Sequence, residues 1–369
     1  MRQSGIFPAA LAALLFAAMP AGAQTGKYGP PLETVKTFDQ FRLVGIAVSR
    51  KGRIFASAPS ATSGDKLVEV DARTGAVKPF PDAAWNRHGT DSAHEWSVPQ
   101  AMWIDKADHL WVLDSGRKVM AAGPAGAPPK LVEFDLGTGR AIRSYGFDGV
   151  LAPGDSLNDV RIDLVHGQAY LTNIANKGSL VVLDLATGKA REVLAGDRST
   201  FADPKQHLMI GKEPAEGADG KPVAIHADGI ALSPDAAFVY YRPLTDHNYW
   251  RVPTAALIDA GLSPAALAAK VQFLGTGPLT GGLIMDSRGT LYGGDLEHSS
   301  VVALTLDPAT HRLTSHLFAR DPGRLSWADG FAISGGYLYI ADSHLWEVNF
   351  KNHLPRSGPF TIFRVKLPG

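Results

Sequence analysis

The sequence predicts an all-β chain folded as a six-bladed β-propeller, closed by its N-terminal strand in the last blade. Three observations carry this expectation. A strand-turn-strand unit recurs six times, the copies leave room for a second hairpin each, and glycine and proline are abundant, at 39 and 25 of 369 residues, as suits many short strands and turns. The copies begin at Gly45, Ala101, Asp159, Gly229, Gly282 and Gly330. Aligned on Ile46, Met102, Val160, Ile230, Leu283 and Phe331, they follow one another at 56, 58, 70, 53 and 48 residues.

The second hairpins lie at 66–80, 130–145, 179–194 and 301–318, three of them turning on Thr-Gly pairs at 74–75, 138–139 and 187–188. Glycine there tolerates the positive φ of a tight turn. Each four-stranded unit has an apolar face that it cannot cover alone, so the units must pack in a ring; an array of sandwiches is the less economical alternative. The last unit has two clear strands and then Phe360 to Leu367, while Glu33 to Phe38 is an extended stretch without a unit of its own. Pairing these two closes the ring and leaves no long free edge. Residues 196–225, rich in Gly, Pro, Asp and Lys, read as a long surface loop, and Ser263-Pro264 reads as a helix start with proline at its first position.

Composition narrows the function classes. Lys plus Arg equals Asp plus Glu at 36 each, which leaves no global field for nucleic acid or an anionic membrane. Cysteine is absent, which removes disulfides, cysteine-ligated zinc, iron–sulfur clusters and thiol nucleophiles. Residues 1–23 combine Arg2, an apolar run from Ile6 to Met19 and an Ala21-Gly22-Ala23 ending, the pattern of a cleaved signal peptide. The expected mature chain, 24–369, is one domain, secreted or periplasmic, with no membrane association after cleavage. No H-E-x-x-H, G-x-S-x-G, Walker or dinucleotide pattern occurs.

Functional residues are expected where the first strands begin, around one mouth of the channel. These are Val44, Gln100, Asn158, Asp228, Gly281 and Asp329. The second strands end on the same face, further from the axis, at Ser57, Asp114, Asn173, Arg242, Asp295 and Asp342. Converging carboxylates and amides bind a hard cation, orient a small ligand, or raise one carboxyl pKa for proton transfer. The same residue types also cap turn backbones, the preferred reading for the outer ring. Asp228 and Asp329 are the candidate proton-transfer residues. Gln100, Asn158, Asn173, Arg242 and Asp342 are candidate ligand contacts, with Tyr241 and Trp327 as stacking partners. Trp96, Trp103 and Trp250 read as inter-blade core; His226 and His247, which flank a mouth strand and the Arg242 loop, read as surface histidines, with proton transfer the alternative.

The stretches LWVLDSG (110–116), AYLTNIANKGSLVVLDLATGKAREVL (169–194), ADGIALSPDAAFVYYRPLTDHNYWRVPTAAL (227–257) and MDSRGTLYGGDL (285–296), in this order and spacing, resemble the major royal jelly protein and yellow family in a bacterial form. The resemblance implies a secreted six-bladed propeller and, by descent, a dopachrome-tautomerase-related protein; it does not imply one activity. A weaker likeness to the regucalcin and gluconolactonase family rests on Asn158-Asp159 and Asp228-Gly229. That family places metal-binding acids where this chain has Val44 and Gly281. The expectation is therefore a small-molecule-binding propeller, an isomerase of catechol- or indole-like compounds, with no cofactor. The alternatives are a metal-dependent lactonase holding Ca²⁺ or another divalent ion, and a non-catalytic scaffold.

Overall fold

A computed structural model describes residues 27–89, 91–116, 127–346, 350–352 and 359–369. The expected signal peptide lies outside the described residues. Six four-stranded antiparallel sheets form the blades, each built in chain order from the axis outward, except the last. Blade 1 starts at Ile46–Val48, blade 2 at Pro99–Ile104, blade 3 at Leu157–Asp163, blade 4 at Ala227–Leu232, blade 5 at Thr280–Met285 and blade 6 at Ala328–Ser334. Each of these first strands touches the first strands of both neighbouring blades, blade 6 meeting blade 1, so the ring is closed. Blade 6 takes its outermost strand, Glu33–Phe38, from the N-terminus, paired with Phe360–Lys366. The Arg364 guanidinium donates to the Glu33 carboxylate at 2.7 Å across this closure.

The core is divided among the gaps between blades. One cluster joins Trp111 and Leu113 of blade 2 to Val160 and Leu171 of blade 3, another joins Tyr170 and Val182 to Ile230 and Tyr241, and equivalent clusters fill the other gaps. Both faces of the inner strands are covered, which is why Gln168–Asn173 is buried at every position, whereas the outer strand Arg140–Gly146 is mostly exposed. The Thr-Gly turns take the expected form. Gly75, Gly139 and Gly188 have φ of 71°, 70° and 74°, and the Asp71, Asp135 and Asp184 carboxylates accept the backbone N–H of Thr74, Thr138 and Thr187.

Ser263 caps the helix Pro264–Ala268, its Oγ accepting from Ala266 N at 3.2 Å. Ser263→Ala is expected to cost about 1 kcal/mol of stability in a urea titration, and an unchanged midpoint would mean that the cap is inert.

The stretch 196–225 departs from its expected form. It carries a small ribbon, Met209–Ile210 against Glu213–Pro214, and sends Leu208, Ile210, Ala215, Val223 and Ile225 into a seventh apolar cluster with Trp327, Trp346 and Phe350. Asn352 fastens it, donating to Pro214 O at 2.8 Å and accepting from Glu216 N at 2.9 Å. The segment is thus a cap on the face where the first strands begin. Its apolar residues follow no strand or helix period, and they are buried because covering the disc removes them from water.

Candidate functional site

In blades 3 to 6 the ladder between first and second strands slips near the mouth, between Leu157 and Val160, Ala227 and Ile230, Thr280 and Leu283, and Ala328 and Phe331. Two residues per blade leave the ladder there, and β-bulges of this kind re-aim side chains. They are Asn158-Asp159, Asp228-Gly229, Gly281-Gly282 and Asp329-Gly330. In blades 4 to 6 the second of each pair is glycine and packs against the next blade. A Cβ on Gly229 would lie 2.3 Å from Gly281 O, and one on Gly282 2.1 Å from Asp329 O. Glycine lets the blades approach closely enough to make a narrow axis.

The result is a cavity of about 50 Å³ on the axis, lined by Gln100, Asn158, Asp159, Asp228 and Asp329 together with Arg161 and the apolar Val44, Met102 and Phe331. Four residues distant in sequence, Gln100, Asn158, Asp228 and Asp329, therefore share one chamber. The Gln100 amide donates to Asn158 Oδ1 at 3.1 Å. Asp159 occupies a repeat position that is glycine or alanine in every other blade, and Arg161 lies two residues on. Their ion pair closes at 2.7 Å, and the guanidinium also donates to Leu283 O of blade 5 and sits 4.6 Å from the Trp103 ring. Sequence reading did not assign either residue to the site. The signal available was the one charged residue at an otherwise small, repeated position.

Burial pushes Asp159 above the ordinary carboxylate range, and Arg161 opposes it. Asp228 is pushed well above that range by burial first, then by the neighbouring Asp329 and Asp159 charges, against the pull of Arg242. Asp329 rises to about 7 through burial, with Asp159 adding and the Trp327 indole N–H, 3.3 Å from its Oδ1, holding it down. Three carboxylates thus share the chamber with one guanidinium, Arg161, with Arg242 acting on Asp228 from outside it, so the acids outnumber their counter-charges.

The remaining candidates lie elsewhere and are engaged. Asn173 Oδ1 accepts from Ser156 N at 3.0 Å and its amide donates to Ser179 Oγ at 3.2 Å. Asp342 accepts from Trp327 N at 2.6 Å and Ser326 N at 3.0 Å, as Asp114 does from Val98 N and Ser97 N in blade 2. These are turn caps that tie the end of a second strand to the segment entering the first. Arg242, fully buried, spends its guanidinium on the carbonyls of Thr280 and Asp246. Tyr241 is core between blades 3 and 4, its hydroxyl donating to Ser199 Oγ at 2.8 Å. Trp327 is locked in the cap against Trp346 (4.7 Å) and Phe350 (5.8 Å), so its ring is not offered to a ligand; its N–H serves the pocket instead. His226 is buried rather than on the surface: its ring stacks on Phe201 at 4.2 Å, its Nδ1 accepts from Ala202 N, and burial lowers its pKa. His247 is half-buried, with its Nδ1 2.8 Å from Gly277 O.

A family model described as Major royal jelly protein matches residues 98–368. The chain belongs to that family. Among curated members of the major royal jelly protein family, Major royal jelly protein 7 of Apis mellifera is 27% identical over 194 residues, 50% of this chain and 41% of that protein. Major royal jelly protein 2 of the same insect is 25% identical over 269 residues, 70% of this chain and 56% of that protein. The match thus spans less than two thirds of these relatives' length. Among solved structures, a luciferin-regenerating enzyme superposes with a TM-score of 0.57 at 13% identity, covering 92% of this chain and 95% of that one. A calcium-binding protein, regucalcin, from Agrobacterium tumefaciens gives 0.55 at 14% (92% and 95%), and a gluconolactonase from Xanthomonas campestris gives 0.53 at 14% (91% and 89%). At such identities the likeness is one of fold. No helix among the described residues is long and apolar enough to cross a membrane.

Proposed function

We propose that this family member is an exported propeller that binds a hard divalent cation, Ca²⁺ in the first instance, in its axial chamber. The observation that carries the reading is the convergence of Asp228 and Asp329 on one small cavity with the amides of Asn158 and Gln100. The donor set fits such an ion. It is all oxygen, as Ca²⁺ and Mg²⁺ require, and it offers no thiolate or imidazole that would favour a softer metal. About 50 Å³ has room for an ion with a few waters. Asp159 is already paired with Arg161, so Asp228 and Asp329 would hold the ion, with amide oxygen from Asn158 or Gln100. Val44 and Gly281 give no donor from blades 1 and 5, which leaves that side open for water or a ligand oxygen. The names of two fold neighbours, a calcium-binding protein and a gluconolactonase, agree with this reading. When bound, such an ion supplies Lewis-acid polarisation of a ligand carbonyl, as lactone hydrolysis needs.

The reading of a catechol- or indole-directed isomerase at the same mouth has one observation in its favour, an Asp329 carboxyl near 7, suited to general acid–base work. The chamber's size opposes it: about 50 Å³ is a third of the roughly 150 Å³ that benzene fills in an engineered closed cavity, so a ring would have to stand largely outside, at the open mouth.

Calorimetric titration of the mature protein with CaCl₂, MgCl₂ and MnCl₂ tests the proposal. One ion per chain is expected, and no heat with any of the three at pH 8 would sink it. Affinity should rise with pH towards and through about 7, because proton and ion compete for the Asp329 carboxylate. Binding that is flat from pH 5.5 to 8 would place the ion elsewhere.

A further inference from the structure

We propose that a second cleft, on blade 4 and separate from the axis, binds an aromatic carboxylate. It lies between the segment Arg198 to Pro204 and the outer strands Asn248–Pro253 and Gln272–Thr276, has a volume of about 420 Å³, and shares no lining residue with the axial chamber. That volume falls within the range of small-molecule sites, roughly 300–1,000 Å³. The inference is independent of the cation reading.

The walls are aromatic. Phe201 stands 38% exposed at the cleft, steadied from behind by stacking on His226, while Phe273 and Trp250 meet at 4.8 Å. An exposed phenylalanine held in a fixed pose beside two further rings is a stacking surface waiting for a flat partner. One polar feature gives the partner a charge. The Arg198 guanidinium lies 5.0 Å over the Trp250 ring and makes no ion pair or hydrogen bond among the described residues. Trp250 is 4% exposed and presents a ring edge to the cleft, while its indole N–H is sealed beneath the surface. The one acid at the rim, Asp203, turns its oxygens to its own donors, accepting from Lys205 N and from the Gln206 amide, both at 3.0 Å, and keeps a negative charge that Arg198 must outweigh. A cation over an aromatic face and a flat apolar wall beside it together select a planar ring bearing an anionic oxygen group.

Calorimetric titration with benzoate, 4-hydroxyphenylacetate and indole-3-acetate, with indole-3-acetamide as the neutral control, decides the matter. At least one acid should bind with Kd below about 1 mM, and the acetamide about tenfold more weakly than indole-3-acetate. Arg198→Gln should remove the preference for the acid. Phe201→Ala, an exposed truncation that leaves the blade's core in place, should abolish binding. Cation titration of the same variants reports on the axial chamber and should be unchanged. The proposal is overturned if none of the acids binds the wild-type protein at 1 mM, or if Arg198→Gln and Phe201→Ala bind them as the wild type does.

Discussion

Asp329→Asn is expected to make the protein more stable without added cation at pH 7.5, and to abolish the stabilisation that Ca²⁺ gives. The carboxyl is raised to about 7 in the folded chain, against about 3.9 when unfolded. Between those two values the folded state holds a proton that the unfolded state has released, so stability is full below about pH 4 and falls as pH rises to 7. At pH 7.5 the ionised group therefore costs about 2–4 kcal/mol, and the neutral, nearly isosteric amide removes the penalty while still accepting from Trp327. Thermal melts with EDTA and with CaCl₂, at pH 5 and 7.5, measure this. A variant that melts lower than wild type at pH 7.5 with EDTA would show that the carboxylate is not held at a cost. A site kept against stability is the expected signature of binding.

Trp327→Ala is expected to cost about 3–5 kcal/mol, because it empties the centre of the cap cluster between Trp346 and Phe350. Its consequence for the chamber is separable. Trp327→Phe retains most of the packing and deletes the N–H that favours the charged Asp329. The pH midpoint of cation binding should move upward in Trp327→Phe, with the fold retained. Equal midpoints in wild type and Trp327→Phe would mean that the cap covers the chamber without tuning it.

Much of this molecule was legible before its coordinates. The six units, the Thr-Gly turns, the closing strand from the N-terminus and the convergence of Gln100, Asn158, Asp228 and Asp329 all follow from strand periodicity and the antiparallel rule. The failures are equally specific. Asn173 and Asp342 are the turn caps that the outer ring was preferred to hold, but the sequence also left them as ligand contacts, since a cap and a ligand contact use the same oxygen and differ only in which N–H is near. Arg242 and Tyr241 were misplaced because strand alternation gives the face of a residue but not whether the neighbouring blade covers it. Trp250, read as core, has its body in the core and its edge on a cleft.

By itself, the sequence determined the architecture, because a two-residue alternation repeated at near-constant spacing admits few ways of covering every apolar face. Tertiary structure alone decided the site's electrostatics. The raised carboxyls of Asp228 and Asp329, the Asp159–Arg161 pair and the cap over them arise from charges brought together across blades and removed from water. Coulomb energy depends on distance and on the surrounding dielectric, and neither is encoded in separation along the chain.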